Sequence, residues 1–102
     1  MAAVENKKTL ITRLKNNSNK LKSFGIAKLS IFGSFVSDKP TDKSDVDFLV
    51  EFVPEKKNYD NFIALSFYLE ELLERRVEIV TPQSLSKHIG PHILRNAEYV
   101  AL

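Results

Sequence analysis

Asp45 and Asp47 stand one residue apart at the head of Ser44-Asp45-Val46-Asp47-Phe48-Leu49-Val50-Glu51-Phe52, a run that otherwise reads as a buried strand. Residues i and i+2 of a strand share a face with Cα atoms about 6.5 Å apart, so both carboxylates enter one small volume. Like charges held that close raise the free energy of the fold. One shared proton, a cationic side chain or a hard divalent metal can offset the repulsion, and oxygen ligands suit the metal best. The unreactive alternative makes Asp45 a turn cap beside Ser44 and leaves Asp47 exposed on an edge strand. Gly33-Ser34 favours chemistry. A glycine directly after an apolar strand permits unusual backbone angles and close approach of a ligand, and a serine opening a turn adds a hydroxyl to backbone N–H groups that attract phosphate. A third carboxylate follows at Glu78, which shares a strand face with Arg76 and Val80 while Val77 and Ile79 take the other. If that strand pairs beside the aspartate strand, Glu78 reaches the pair; if not, it serves as an ion-pair partner of Arg76 or Lys43. Three carboxylates beside a phosphate-binding turn suit two-metal phosphoryl transfer, with ions about 3.5–4 Å apart.

The elements that must position these groups are legible from periodicity. Leu10, Leu14, Leu21 and Phe24 lie near one helical face, which predicts a helix over 5–24 stopped by Gly25. Residues 26–32 are rich in strand formers and end abruptly at Gly33. A polar loop over 35–44 contains Pro40, and from Asp45 to Phe52 the alternation is strict, with Val46, Phe48, Val50 and Phe52 on one side and Asp45, Asp47, Leu49 and Glu51 on the other. Pro54 ends this strand. Phe62, Leu65, Leu69, Leu72 and Leu73 predict a helix over 59–74, with Asn58 or Asp60 as its cap, and a third strand covers 76–80. Thr81-Pro82 reads as the start of a helix that Gly90-Pro91 breaks, opening a further short one through Ile93 and Leu94. The order α-β-loop-β-α-β-α-α describes an α/β (α+β) fold, a small mixed sheet packed with helices.

Bulk properties bound the function. With 102 residues, 43% of them hydrophobic and 27% charged, the expectation is one domain over 1–102. No apolar run approaches the length of a membrane span and the first residues carry no signal-like segment, which points to a cytoplasmic protein without a membrane role. The absence of cysteine rules out disulfides, thiolate metal sites and cysteine nucleophiles. The net charge of +2 hides an asymmetry, because residues 1–28 hold seven Lys/Arg against Glu5 alone. Those lysines fit a solvated helix face, and no aromatic residues alternate with them as a base-stacking platform would require, so nucleic acid is not the expected partner. His88 and His92 are separated by Gly90-Pro91, which interrupts a zinc-type helical spacing, so they are read as surface or packing residues. Tyr59, Tyr68 and Tyr99 are read as core. Phe35 and Phe48 flank the acidic pair as candidate contacts for a nucleotide base, with burial the expectation for Phe48.

Taken together, Gly33-Ser34, a ten-residue interval and Asp45-Val46-Asp47 within an apolar strand resemble the minimal nucleotidyltransferases of the DNA polymerase β superfamily, whose members often pair with HEPN-domain proteins in toxin–antitoxin modules. The likeness extends through Arg76-Val77-Glu78-Ile79-Val80-Thr81-Pro82 and Ile93 to Val100, covering nearly the whole chain. It implies that Gly33 and Ser34 hold a nucleoside triphosphate with Lys43 and Ser44 beside them. It also implies that Asp45, Asp47 and Glu78 ligate two Mg2+ ions and carry the catalysis. The implied reaction moves AMP from ATP to a hydroxyl, a tyrosine of a HEPN-type toxin, with the chain acting as antitoxin. Two departures stand out. Glu78 replaces the usual aspartate, lengthening the arm by one methylene, and Ser37-Asp38 replaces the Arg-Gly that commonly follows Gly-Ser-x-Ala. Ser37 removes a guanidinium from the phosphate side and Asp38 adds an anion, which Lys39 or Lys43 offsets in part. A catalytically weak or inactive subunit that neutralises its partner by binding alone is the competing reading.

Overall fold

In the computed structural model, which describes residues 2–37, 39–88 and 90–102, the chain forms a four-stranded mixed sheet backed by helices. Helix α1 (Lys7–Asn16) starts at Asn6, whose side chain accepts the Thr9 N–H at 2.9 Å, and buries Leu10 and Leu14. The helix expected over 5–24 is broken: α2 (Ser18–Ser23) begins anew after Asn17. Asn17 donates its backbone N–H to Leu14 and its side-chain amide to Arg13 O at 2.8 Å. These local hydrogen bonds compete with helix continuation in the polar stretch 16–19. Gly25 then turns the chain at φ 79° into strand β1 (Ile26–Phe32).

Strand β2 (Val46–Phe52) is central, antiparallel to β1 and parallel to β3 (Val77–Val80). A parallel pair needs a crossover, and α3 (Tyr59–Leu73) supplies it, capped by Asn58 and buried through Leu65, Leu69, Leu72 and Leu73. Two elements differ from expectation at the C-terminal end. Pro82–Ser84 forms a single 3-10 turn closed by reciprocal Thr81 and Ser84 bonds instead of a helix. After the expected short helix, α4 (Gly90–Asn96), the chain adds a fourth strand, β4 (Glu98–Val100), antiparallel to β1. The sheet order is β3-β2-β1-β4.

Val46, Phe48 and Val50 of β2 and Leu29 and Ile31 of β1 share one core with Leu10, Leu14 and Leu21 and the buried leucines of α3. Helices α1, α2 and α3 therefore cover one sheet face. Asp47 and Glu51 alternate to the other face, where Leu49 is nonetheless buried; the Pro82–Ser84 turn comes close to β2. Among the described residues no helix is long and apolar enough to cross a membrane.

Candidate active site

The site is built at the edge where β1 ends and β2 and β3 begin. Gly33 leaves β1 at φ 78°, a left-handed conformation that favours glycine, and a Cβ placed there would collide with the Asp47 carboxylate. Glycine is thus required twice, by backbone angle and by close approach. Gly33–Phe35 forms a 3-10 turn in which Gly33 O accepts from Val36 N–H (3.1 Å) and Ser37 N–H (3.2 Å). Ser37 also donates its hydroxyl to Ser34 O at 3.1 Å, so the residue that replaces the usual arginine ties off the turn instead of reaching outward. Asp38 lies outside the described residues. Phe35 is fully buried in the core, as is Phe48, so neither is available to a nucleotide base; for Phe35 this corrects the expectation. The turn swings its side chain inward against the sheet.

Asp47 is opposite Phe32 of β1 and level with Glu78 of β3, so the parallel pairing brings Glu78 to Asp47. The two side chains share a hydrogen bond, and the Asp47 carboxyl is pushed up from 3.8 to about 6. Burial is the main cause, followed by the negative charges of Glu78 and Asp45 and the hydrogen bond with Glu78. Asp45, just before β2, is exposed. Asp47 and Glu78 therefore form the tight pair, and Asp45 extends the acidic edge toward solvent.

Arg76 occupies the corresponding position beside Asp45: its carbonyl accepts the Val46 N–H at 2.9 Å, and its side chain alternates to the same face of β3 as Glu78. Beside Asp45 lies a cleft of about 820 Å³ lined by Lys43, Ser44, Arg75 and Arg76 together with the acidic Glu5, Asp42 and Glu74; Gly33, Asp47 and Glu78 do not line it. The Ser44 hydroxyl accepts the Thr41 N–H at 2.8 Å within its own loop, while Lys43 is exposed. Gly33, Asp47 and Glu78 thus converge directly, and Lys43 and Ser44 border the Asp45 side. Arg75 and Arg76 join the site without having been singled out from sequence. Strand alternation placed Arg76 on the Glu78 face, whereas nothing local marks Arg75, whose partners are distant backbone carbonyls. His88 and His92 are exposed, outside the site. Tyr59 and Tyr99 are 76% and 59% exposed, which corrects their assignment to the core; Tyr68 is half-buried and packs on Phe24 at 5.4 Å between ring centroids.

Among the described residues no group of three or more His, Asp or Glu side chains is already assembled as a metal cage. The donor set still fits a hard cation. Mg2+ is commonly held by one or two carboxylates together with substrate phosphates instead of an all-protein cage. An acidic edge on which one carboxyl is driven to about 6, by burial first and then by its acidic neighbours, has negative charge that such an ion would neutralise.

This geometry, a glycine turn closed against a carboxylate pair on adjacent strands, has the form of a nucleotide-transfer site, and the chain belongs to the nucleotidyltransferase domain family, whose model matches residues 9–100. Protein adenylyltransferase MntA of Thermococcus cleftensis is 42% identical over 77 residues, which make up 76% of this chain and 77% of that relative. A protein of Methanocaldococcus jannaschii is 36% identical over 73 residues, 72% of this chain and 77% of the relative. Among solved structures, one described as a candidate minimal nucleotidyltransferase superposes with a TM-score of 0.81 at 27% identity, covering 99% of this chain and 100% of the other. The crystal structure of a toxin–antitoxin with AMP-PNP shares the fold, with a TM-score of 0.66 at 18% identity over 95% of this chain and 73% of that one.

Proposed function

We propose that the chain transfers AMP from ATP to a hydroxyl of a partner protein, a tyrosine of a HEPN-type toxin, and thereby acts as its antitoxin in the cytoplasm. The observation that carries this reading is the Asp47–Glu78 pair, level on adjacent strands and closed on one side by a glycine with no room for a side chain. The 42% identity to a protein adenylyltransferase supports the choice of AMP and of a protein acceptor.

In the reaction, the acceptor oxygen attacks the α-phosphorus of ATP, one P–O bond forms, the bond to the β-phosphate oxygen breaks, and pyrophosphate leaves. The acceptor proton passes to Glu78, the exposed carboxylate of the pair, and from there to solvent. The Gly33-Ser34 turn presents backbone to the phosphates without an intervening side chain, and Arg76 and Lys43 supply the positive charge that Ser37 does not. Asp45 and Asp47, with Glu78 beside them, are the residues that would hold Mg2+. Held there, the ion would supply positive charge to offset that of the triphosphate. Catalysis of this kind is mainly positioning and charge stabilisation, which a small scaffold can provide.

The test is transfer of label from ATP labelled at the α-phosphate to the partner in the co-purified complex. Wild type should label the partner only with a divalent cation present, and Asp45→Asn with Asp47→Asn should abolish labelling while leaving the complex intact. An intact complex that wild type never labels under any nucleotide would establish the binding-subunit reading instead.

A further inference from the structure

We propose that Arg75 is a positioning residue that fixes Asp45 and the Gly33 turn relative to one another. This inference rests on the transfer reading above. Arg75 follows Glu74, which closes α3 in a left-handed conformation at φ 53° and so turns the next side chain away from the helix. Its Nε donates to Val4 O at 2.5 Å, and its Nη1 donates to Thr41 O at 2.8 Å and to Ser44 O at 3.0 Å. Thr41 O and Ser44 O are the two end carbonyls of the tight turn that delivers the chain to Asp45; Thr41 O also accepts the Ser44 N–H.

The same guanidinium lies over the ring of Phe35, with 5.1 Å between its central carbon and the ring centroid. Phe35 is the buried end of the turn that holds Gly33 against Asp47. One planar cation therefore joins three segments distant in sequence: the buried residue before α1, the loop entering β2 and the turn leaving β1. A lysine cannot reproduce this, because it lacks both the flat face for the ring and the fixed fork of donors. Every hydrogen-bond acceptor named here is a backbone carbonyl, so Arg75 acts through the backbone that carries Asp45 and Gly33 instead of through the substrate. The resulting division is simple: Arg75 holds the frame through backbone carbonyls and the Phe35 ring, and Arg76, the next residue, turns to the acidic face.

The experiment compares wild type, Arg75→Lys and Arg75→Gln by amide hydrogen exchange on the full chain, and by label transfer in the complex. Exchange over 33–36 and 41–46 should accelerate about ten- to a hundredfold in both variants, the equivalent of one or two lost charge-assisted hydrogen bonds, while amides of β1 and α3 keep wild-type protection. Arg75→Lys provides the readout if Arg75→Gln does not fold. Labelling per folded molecule should fall mainly in kcat, about a hundredfold, with KM for ATP within a few-fold of wild type. Unchanged exchange over 41–46 overturns the proposal, and so does a loosened loop with wild-type kcat per folded molecule. Absence of labelling by wild type counts against the transfer reading alone, since the exchange comparison then still decides whether Arg75 anchors the loop.

Discussion

Replacing Asp47 by Asn should remove AMP transfer and yet make the nucleotide-free protein more stable. Asp47 holds its proton more tightly in the folded chain than in the unfolded one, its carboxyl rising from 3.8 to about 6. Above about pH 6 the group is ionised in both states and folding bears the full cost of an anion that is half-buried beside Glu78 and Asp45. As pH falls from 6 toward 3.8 the folded form takes up the proton first and the cost shrinks; below 3.8 it is gone. Taken in full, this difference is worth about 3 kcal/mol. Solvent contact at a half-buried side chain screens it to roughly 1–2 kcal/mol. Asparagine keeps the shape, avoids collision at Gly33 and can donate to Glu78. The midpoint of thermal unfolding in metal-free buffer should therefore rise by at least about 4 °C in Asp47→Asn at pH 7.5, since 1 kcal/mol is worth about 4–8 °C in a domain of this size. At pH 4 most of that gain should have vanished, and every other titrating group is common to both proteins. A variant less stable than wild type at pH 7.5, or a gain equal at both pH values, would refute the electrostatic account of the pair.

Gly33→Ala should lose transfer and about 1–3 kcal/mol of stability, because the backbone is left-handed there and the new methyl meets the Asp47 carboxylate; denaturant unfolding measures the loss. Arg76→Ala should leave stability within about 0.5 kcal/mol, its side chain being exposed, while raising KM for ATP and flattening the dependence of KM on ionic strength. Phe35→Ala should cost about 3–5 kcal/mol by emptying a fully buried site, and calorimetric unfolding should show it even though Phe35 touches no substrate. Chelation should return a nucleotide-stabilised wild type to its ligand-free unfolding midpoint and leave Asp47→Asn unmoved, as linkage to ligand binding requires.

Much of the frame could be read from periodicity because its causes are local. The strict alternation of 45–52 produced β2, the leucine spacing of 59–73 produced α3, and the Arg76–Val80 alternation set Glu78 on the face it occupies. The failures have causes that apolar spacing does not carry. β4 has three residues and is held as a strand by pairing with β1, some seventy positions earlier, so no periodicity can announce it. The break at Asn17 arises from side-chain hydrogen bonds that compete with a helix the apolar spacing favours. Phe35 flanks the proposed site in sequence as a candidate base contact, yet the direction of a 3-10 turn, not sequence proximity, decides where that ring goes. Arg75 leaves no local signal because its partners are carbonyls on two segments and an aromatic ring on a third, all distant in sequence.

The most direct measurement is the rate of AMP transfer to the partner by Glu78→Gln, compared with wild type at saturating ATP. Glu78 meets Asp47 across the β2–β3 pairing and is assigned the acceptor proton, so kcat should fall by about a hundredfold or more, with KM for ATP little changed and the complex intact. Transfer by Glu78→Gln at the wild-type rate would contradict the account.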